Sequence, residues 1–180
     1  DFAPPFDFRT PAFGLSLIFL RNCWYVAAWD HEIGRAPLAR TILNEPLILY
    51  RRTEGTPVVL ADRCCHRGLP LSLGRIEGDS VRCGYHGLVF APDGRCIEVP
   101  GQSKAPPGAA VKSYPVVERY RWIWVWMGDP GLADPSLIPD WWWMDHPDWS
   151  FIKGTFLHIQ CNYELITDNL LDLSHLGFVH

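Results

Sequence analysis

A chain of 180 residues with 48% hydrophobic and 20% charged side chains can build one well-packed globular domain, or one domain and part of a second. Its net charge of −4 gives no electrostatic footing on nucleic acid, and no long basic run suggests a membrane surface. The longest apolar stretch near the start, residues 13–20, is too short to cross a bilayer and lacks the basic flank of a secretory signal.

Residues 1–20 are rich in Pro and Phe, show no sustained period and read as an arm or leader; the first Met is Met127. A domain start is expected at Arg21-Asn22-Cys23-Trp24-Tyr25. From there to residue 127 the signals are β. Runs at 46–52 and 57–61 flank Thr53-Glu54-Gly55-Thr56 and read as a hairpin. Ser80-Val81-Arg82 is a short strand leading into Cys83. Strands at 88–90 and 96–99 flank the turn Pro92-Asp93-Gly94. Residues 113–118 and 121–127 are also strand-like. In the latter Trp122, Trp124 and Trp126 alternate with Ile123 and Val125, so both faces are expected to be buried. Many short strands between Gly/Pro turns predict a mainly β unit of small antiparallel sheets.

Residues 128–139 read as a linker, and Trp141-Trp142-Trp143 as bulky packing at a boundary rather than a stacking platform. A strand is expected over 151–160, then one helix over 161–176 stopped by Gly177. Asn169, Asp172 and His175 recur every three residues and would share one side of that helix. His180 follows His175 by five, so a break at Gly177 is needed to aim both imidazoles at one point.

Two runs carry the chemistry. Cys64-Cys65-His66 is followed by Arg67-Gly68, and Cys83-Gly84-Tyr85-His86 by Gly87-Leu88. A C-x-H with a C-x-x-H supplies two soft thiolates and two imidazoles, which suits a Rieske [2Fe-2S] centre: two Cys on one iron, two His on the other. A structural zinc site would use the same residue types, but zinc fingers usually bring Cys as one close pair and His as another. Here each half carries one of each, with matching Gly-containing flanks that make chance a poor explanation. Cys65 is read as a packed small side chain rather than a third ligand. The remaining cysteines, Cys23, Cys96 and Cys161, are scattered without a disulfide framework, which points to a reducing compartment and a cytoplasmic location.

On these runs, and on Asn22-Cys23-Trp24-Tyr25-Val26-Ala27-Ala28, Tyr114-Pro115-Val116-Val117-Glu118-Arg119, Gly128-Asp129-Pro130 and Cys161-Asn162-Tyr163-Glu164-Leu165, the chain resembles the oxygenase component of Rieske non-haem iron oxygenases. The likeness is nearest to the vanillate and dicamba O-demethylase type, with Leu88 where many ring-dihydroxylating relatives have Trp. Leu69 and Tyr85 stand near the positions where respiratory Rieske proteins carry an extra disulfide.

The resemblance implies a Rieske domain over 21–127, and a linker with the beginning of an α+β catalytic domain over 128–180. It implies that Cys64, His66, Cys83 and His86 hold the cluster and that His175 and His180 bind a mononuclear Fe(II). The family's third, acidic iron ligand lies far downstream. Asp172 would bridge to the cluster ligand His86 of a neighbouring subunit, and Asn169 would line the iron site. The implied partners are an NAD(P)H-dependent reductase or ferredoxin, an aromatic substrate with O₂, and two further copies in a homotrimer. An electron carrier of the Rieske ferredoxin kind is the alternative; it leaves Asp172, His175 and His180 without a role.

Overall fold

A computed structural model describes residues 19–179, so residues 1–18 of the expected arm and His180 lie outside the described residues. Ten strands form three antiparallel sheets: β1 (Cys23–Trp29), β10 (Trp122–Met127) and β9 (Val116–Arg119) in the first, and β2 (Leu38–Ile42), β3 (Glu45–Arg51) and β4 (Pro57–Ala61) in the second. The third runs β5 (Arg75–Glu77), β6 (Ser80–Arg82), β7 (Val89–Phe90), β8 (Cys96–Glu98). The mainly β expectation holds.

The second sheet sits in the middle, and its sequence explains why. Strand β3 reads as a continuous apolar run because both its faces are covered. Leu47, Leu49 and Val59 pack with Ile123, Val125 and Met127 of β10. Ile48, Tyr50, Val58 and Leu60 point the other way, onto Val81, Phe90 and Cys96 of the third sheet. One-residue alternation thus splits a single strand between two cores. Strand β10 is buried on both faces, as its alternating Trp pattern predicts, with Trp124 packing against Tyr120 and Ile138.

Arg51 fastens the layers. Its guanidinium donates to both oxygens of Glu118 (2.6 and 2.9 Å) and to the carbonyls of Asp30 and Ile33. The hairpin over 46–52 and 57–61 forms with Leu47 opposite Ala61 and Arg51 opposite Pro57.

Three expectations need correction. Residues 151–160 form no strand: no described strand pairs with them, and apolar side chains such as Ile152 (93% exposed) and Leu157 stay in solvent. The expected single helix is two, α1 (Tyr163–Leu171) and α2 (Leu176–Val179). Gly177 lies within α2 and stops nothing. The break falls at Asp172, whose carboxylate Oδ1 accepts from the N–H (2.9 Å) and hydroxyl (2.5 Å) of Ser174 and closes a local turn that competes with the helix. Asp172 therefore caps the end of α1, beyond the last helical turn that carries Asn169. The Trp run packs as expected at its ends: Trp141 joins the Trp124 core and lies edge-on to Trp122 at 5.2 Å, while Trp142 is half exposed.

Candidate metal centre

The two Cys/His runs occupy two loops with the same backbone. In the first, the Cys64 N–H donates to the Leu69 carbonyl (2.9 Å) and the Gly68 N–H donates back to the Cys64 carbonyl (2.9 Å). In the second, the Cys83 N–H donates to Leu88 (2.8 Å) and the Gly87 N–H to the Cys83 carbonyl (3.2 Å). Each loop therefore spans six residues, Cys to Leu, with a glycine fifth. Gly68 (φ 71°) and Gly87 (φ 74°) hold the left-handed conformation that closes it, which a side chain would strain. The His stands third in one loop and fourth in the other.

This twinning sorts the donors. Cys64 and Cys83 are each 3% exposed and belong to the core under the third sheet, with Leu71, Leu88 and Phe90. His66 and His86 are exposed, their ring centroids 4.5 Å apart and inclined at 61°. The Tyr85 ring lies 3.8 Å from that of His86 and shields one side of it.

Burial pushes the Cys64 thiol up to about 11; a backbone hydrogen bond at His66 opposes the rise and the neighbouring Cys83 thiol adds to it. Two buried thiols held side by side release their protons readily only to a cation that takes their place. His86 is held below the usual histidine value by loss of water around the ring, then by His66 and Arg67, which favours the neutral form that binds metal.

Among the described residues, no three of His, Cys, Asp and Glu gather around one point. The four donors form a thiol pair and an imidazole pair, the division a two-iron cluster requires. Cys65, expected to be packed, is exposed.

The supports of these loops are not visible in the motif. Asp62, buried beside the first loop, accepts from the Ser72 N–H (2.7 Å) and hydroxyl (2.5 Å) at the far end, so one carboxylate clamps both ends. Arg82 donates to Glu77 (2.7 Å), to both oxygens of Glu98 (2.9 and 3.1 Å) and to the Gly87 carbonyl (2.8 Å). Glu98 and then Glu77 raise its already high pKa. A charged residue directly before a ligand Cys was the available signal.

Gly74 follows the first loop, and a Cβ there would stand 2.1 Å from the Arg82 carbonyl oxygen, one residue before Cys83. Backbone must move to admit it. Gly74→Ala is expected to cost about 1–3 kcal/mol and to lower cluster content, read by thermal unfolding together with iron per chain; an unchanged midpoint and full iron would refute the close packing.

The second candidate set is more open. Asn162 starts α1 by accepting from the Glu164 N–H (3.0 Å). Asn169, Asp172 and much of α1 and α2 are exposed, with Leu170, Leu171, Leu173 and Phe178 (94%) in solvent. The Ser174 hydroxyl and then its N–H hold the Asp172 carboxyl below the usual carboxylate range. His175 precedes α2, and its carbonyl accepts from Phe178 and Val179.

A family model described as the Rieske [2Fe-2S] domain matches residues 23–115, more than half the chain and both loops. The chain belongs to the Rieske [2Fe-2S] domain family. Beyond the Rieske match, residues 159–180 match the vanillate O-demethylase oxygenase C-terminal domain.

Among relatives, the chain is 58% identical to the toluene-4-sulfonate monooxygenase system iron-sulfur subunit TsaM1 of Comamonas testosteroni, over 91% of this chain and 47% of that one. It is 46% identical to the dicamba O-demethylase oxygenase component of Stenotrophomonas maltophilia, over 91% and 48%. The crystal structure of dicamba monooxygenase bound to dicamba superposes with a TM-score of 0.85 at 47% identity, over 90% of this chain and 48% of that one. The chain spans about half the length of the curated relatives it matches.

Proposed function

We propose that this chain carries the electron-accepting part, and the opening of the catalytic part, of the oxygenase component of a multi-component Rieske monooxygenase. Its Rieske domain runs over 21–127 and its catalytic domain begins within 128–180. Cys64 and Cys83 hold one iron of the cluster, and His66 and His86 the other. His175 and His180 bind a mononuclear Fe(II), Asn169 lines that site and Asp172 connects it to His86 of a neighbouring subunit in a trimer. When bound, the cluster supplies single electrons and the iron activates O₂.

The chain's own residues do the rest. The twin loops bury the thiols and leave the imidazole edge at the surface, where electrons arrive and leave. An NAD(P)H-dependent reductase or ferredoxin provides them in the cytoplasm. The net reaction inserts one oxygen atom of O₂ into a methyl C–H bond of an aromatic substrate, and the other leaves as water with two electrons and two protons. On a methoxy group the resulting hemiacetal releases formaldehyde and leaves a phenol.

Continuity carries this reading: the likeness to oxygenase components covers 91% of the chain, and the match to an oxygenase C-terminal domain over 159–180 includes Asn169, Asp172 and His175, for which an electron carrier has no use. The substrate class follows the relatives. Toluene-4-sulfonate and vanillate are both anionic aromatics with one methyl or methoxy carbon, and the higher identity favours ring-methyl hydroxylation at least as much as O-demethylation.

The test is NAD(P)H-dependent turnover of toluene-4-sulfonate and vanillate by the full-length protein with its reductase, with iron and acid-labile sulfide counted. Three irons and two sulfides per chain with a hydroxymethyl or phenol product support the proposal. Two irons, two sulfides and no product would leave the electron carrier.

A further inference from the structure

Residues 150–158 run from the β unit towards α1, and among the described residues no backbone hydrogen bond joins them to a sheet. Side chains seat them instead, at three points. The Arg121 guanidinium lies over the Phe151 ring at 4.4 Å, and that of Arg40 over the Phe156 ring at 4.3 Å. Between them Gly154 backs onto the Trp29 indole. A Cβ there would stand 2.5 Å from Cε2 and 2.8 Å from Nε1 of that ring, so the close approach requires glycine.

The seats are fixed to the β unit. Trp29 ends β1, and its ring packs on that of Trp122 in β10 at 5.2 Å, which leaves it little room to retreat. Glu32 accepts from the Trp29 N–H (2.8 Å) and from Arg40 (3.0 Å), so one carboxylate ties two of the seats together. The Arg40 side chain is 12% exposed and its buried Nε has no hydrogen-bond partner among the described residues; the face of Phe156 is a favourable neighbour for that charge. Arg121 is held by donating to the Met144 carbonyl (3.1 Å).

Burial of apolar surface does not account for this. Ile152 and Leu157 in the same stretch stay in solvent while Phe151, Gly154 and Phe156 are engaged, so the contacts fix position. Six residues beyond Phe156, Asn162 caps α1, the helix that carries Asn169 and ends at Asp172.

We propose that residues 151–156 are a positioning strap, with Gly154 as its central positioning residue, that fixes where α1, Asp172 and His175 stand relative to the Rieske domain of their own chain; this rests on the proposed roles of those residues. In a ring of subunits each chain presents one cluster and receives an electron from another. An error between the two parts of one chain is then repeated at every subunit boundary, which gives a firm seat its use.

The test uses the full-length protein loaded with cluster and Fe(II). Gly154→Val pushes the strap off Trp29. It is expected to keep its iron, its sulfide and its rate of reduction by the reductase. With O₂ and substrate its cluster should reoxidise about tenfold more slowly, because misplacement by about 1 Å can cost that much or more. The paramagnetic resonance signal of the reduced cluster should saturate at lower microwave power, since the ferrous iron that relaxes it stands farther away. Gly154→Ala should show a smaller form of both changes. Adding Trp29→Leu to Gly154→Ala clears the space the Cβ needs and should return both readouts towards wild type.

Unchanged reoxidation and saturation in both Gly154 variants overturn the proposal. So does a loss that Trp29→Leu leaves uncorrected, or a fall confined to thermal stability and iron content, which would make the contact structural only. A wild-type protein without a third iron per chain would instead refute the underlying assignment of the iron site.

Discussion

Replacing Cys64 with Ala is expected to abolish the visible absorption of the cluster, and NAD(P)H-dependent turnover with it. The thiol sits in the core beside Cys83, and the buried carboxylate next to the loop, Asp62, is engaged by the N–H and hydroxyl of Ser72. One iron would keep a single protein donor. The loop should survive, because the hydrogen bonds that close it run between backbone groups of Cys64, Gly68 and Leu69. The change therefore separates ligation from folding: the far-ultraviolet circular dichroism of the apoprotein should match that of wild-type apoprotein. Iron and sulfide should fall to background, and turnover by more than the roughly 100-fold that losing an outer partner of a ligand can cost. Cys65→Ala is the matched control. Cys65 is exposed, so its removal should leave the spectrum intact. Retention of the brown colour in Cys64→Ala would overturn the ligand assignment.

What the sequence made legible was local. The spacing of Cys64, His66, Cys83 and His86 states the donor set, and Gly68 and Gly87 state the turns, because each loop is closed within six residues. The β3–β4 hairpin announced itself through Thr53-Glu54-Gly55-Thr56. The β2–β3 hairpin did not, since its turn residues, Leu43 (φ 51°) and Asn44 (φ 61°), take the left-handed conformation without a glycine. Tyr120 and Arg121 do the same between β9 and β10. Strand β5 was missed because Arg75-Ile76-Glu77 offers one apolar residue between two charges.

The errors near the C-terminus have one physical origin. Apolar residues over 151–160 and helical spacing over 161–176 describe what faces a partner, and most of these side chains face solvent among the described residues. A strand without a neighbour has no ladder to join. In the helix, Asp172 was read by its i, i+3 spacing, whereas Asp-Leu-Ser is also a sequence that turns on itself. The carboxylate of Asp172 chose the Ser174 N–H over a place on the helix face. The clamps on the loops, Asp62 with Ser72 and Arg82 with Glu77, Glu98 and Gly87, depend on contacts across elements and carry no local signature beyond their charge.

That turn sharpens the remaining prediction, Asp172→Asn. Both Ser174 hydrogen bonds fall on Oδ1 of Asp172, which leaves Oδ2 to accept from an imidazole N–H. Asparagine keeps an oxygen to accept from Ser174, so the end of α1 and the position of His175 should be preserved. The amide nitrogen then takes the place of Oδ2, and it donates where the proposed bridge needs an acceptor. A donor facing the N–H of His86 across a subunit boundary cannot hold that ring or the path between the two metal sites. The variant is therefore expected to bind both metals, accept electrons from its reductase at the wild-type rate, and form product about 10–100-fold more slowly or worse. The distinguishing measurement is single-turnover reoxidation of the reduced cluster with O₂ and substrate present. Slow reoxidation with unchanged reduction places the defect between the metals, whereas unchanged turnover would remove the bridging role and leave Asp172 as a helix cap.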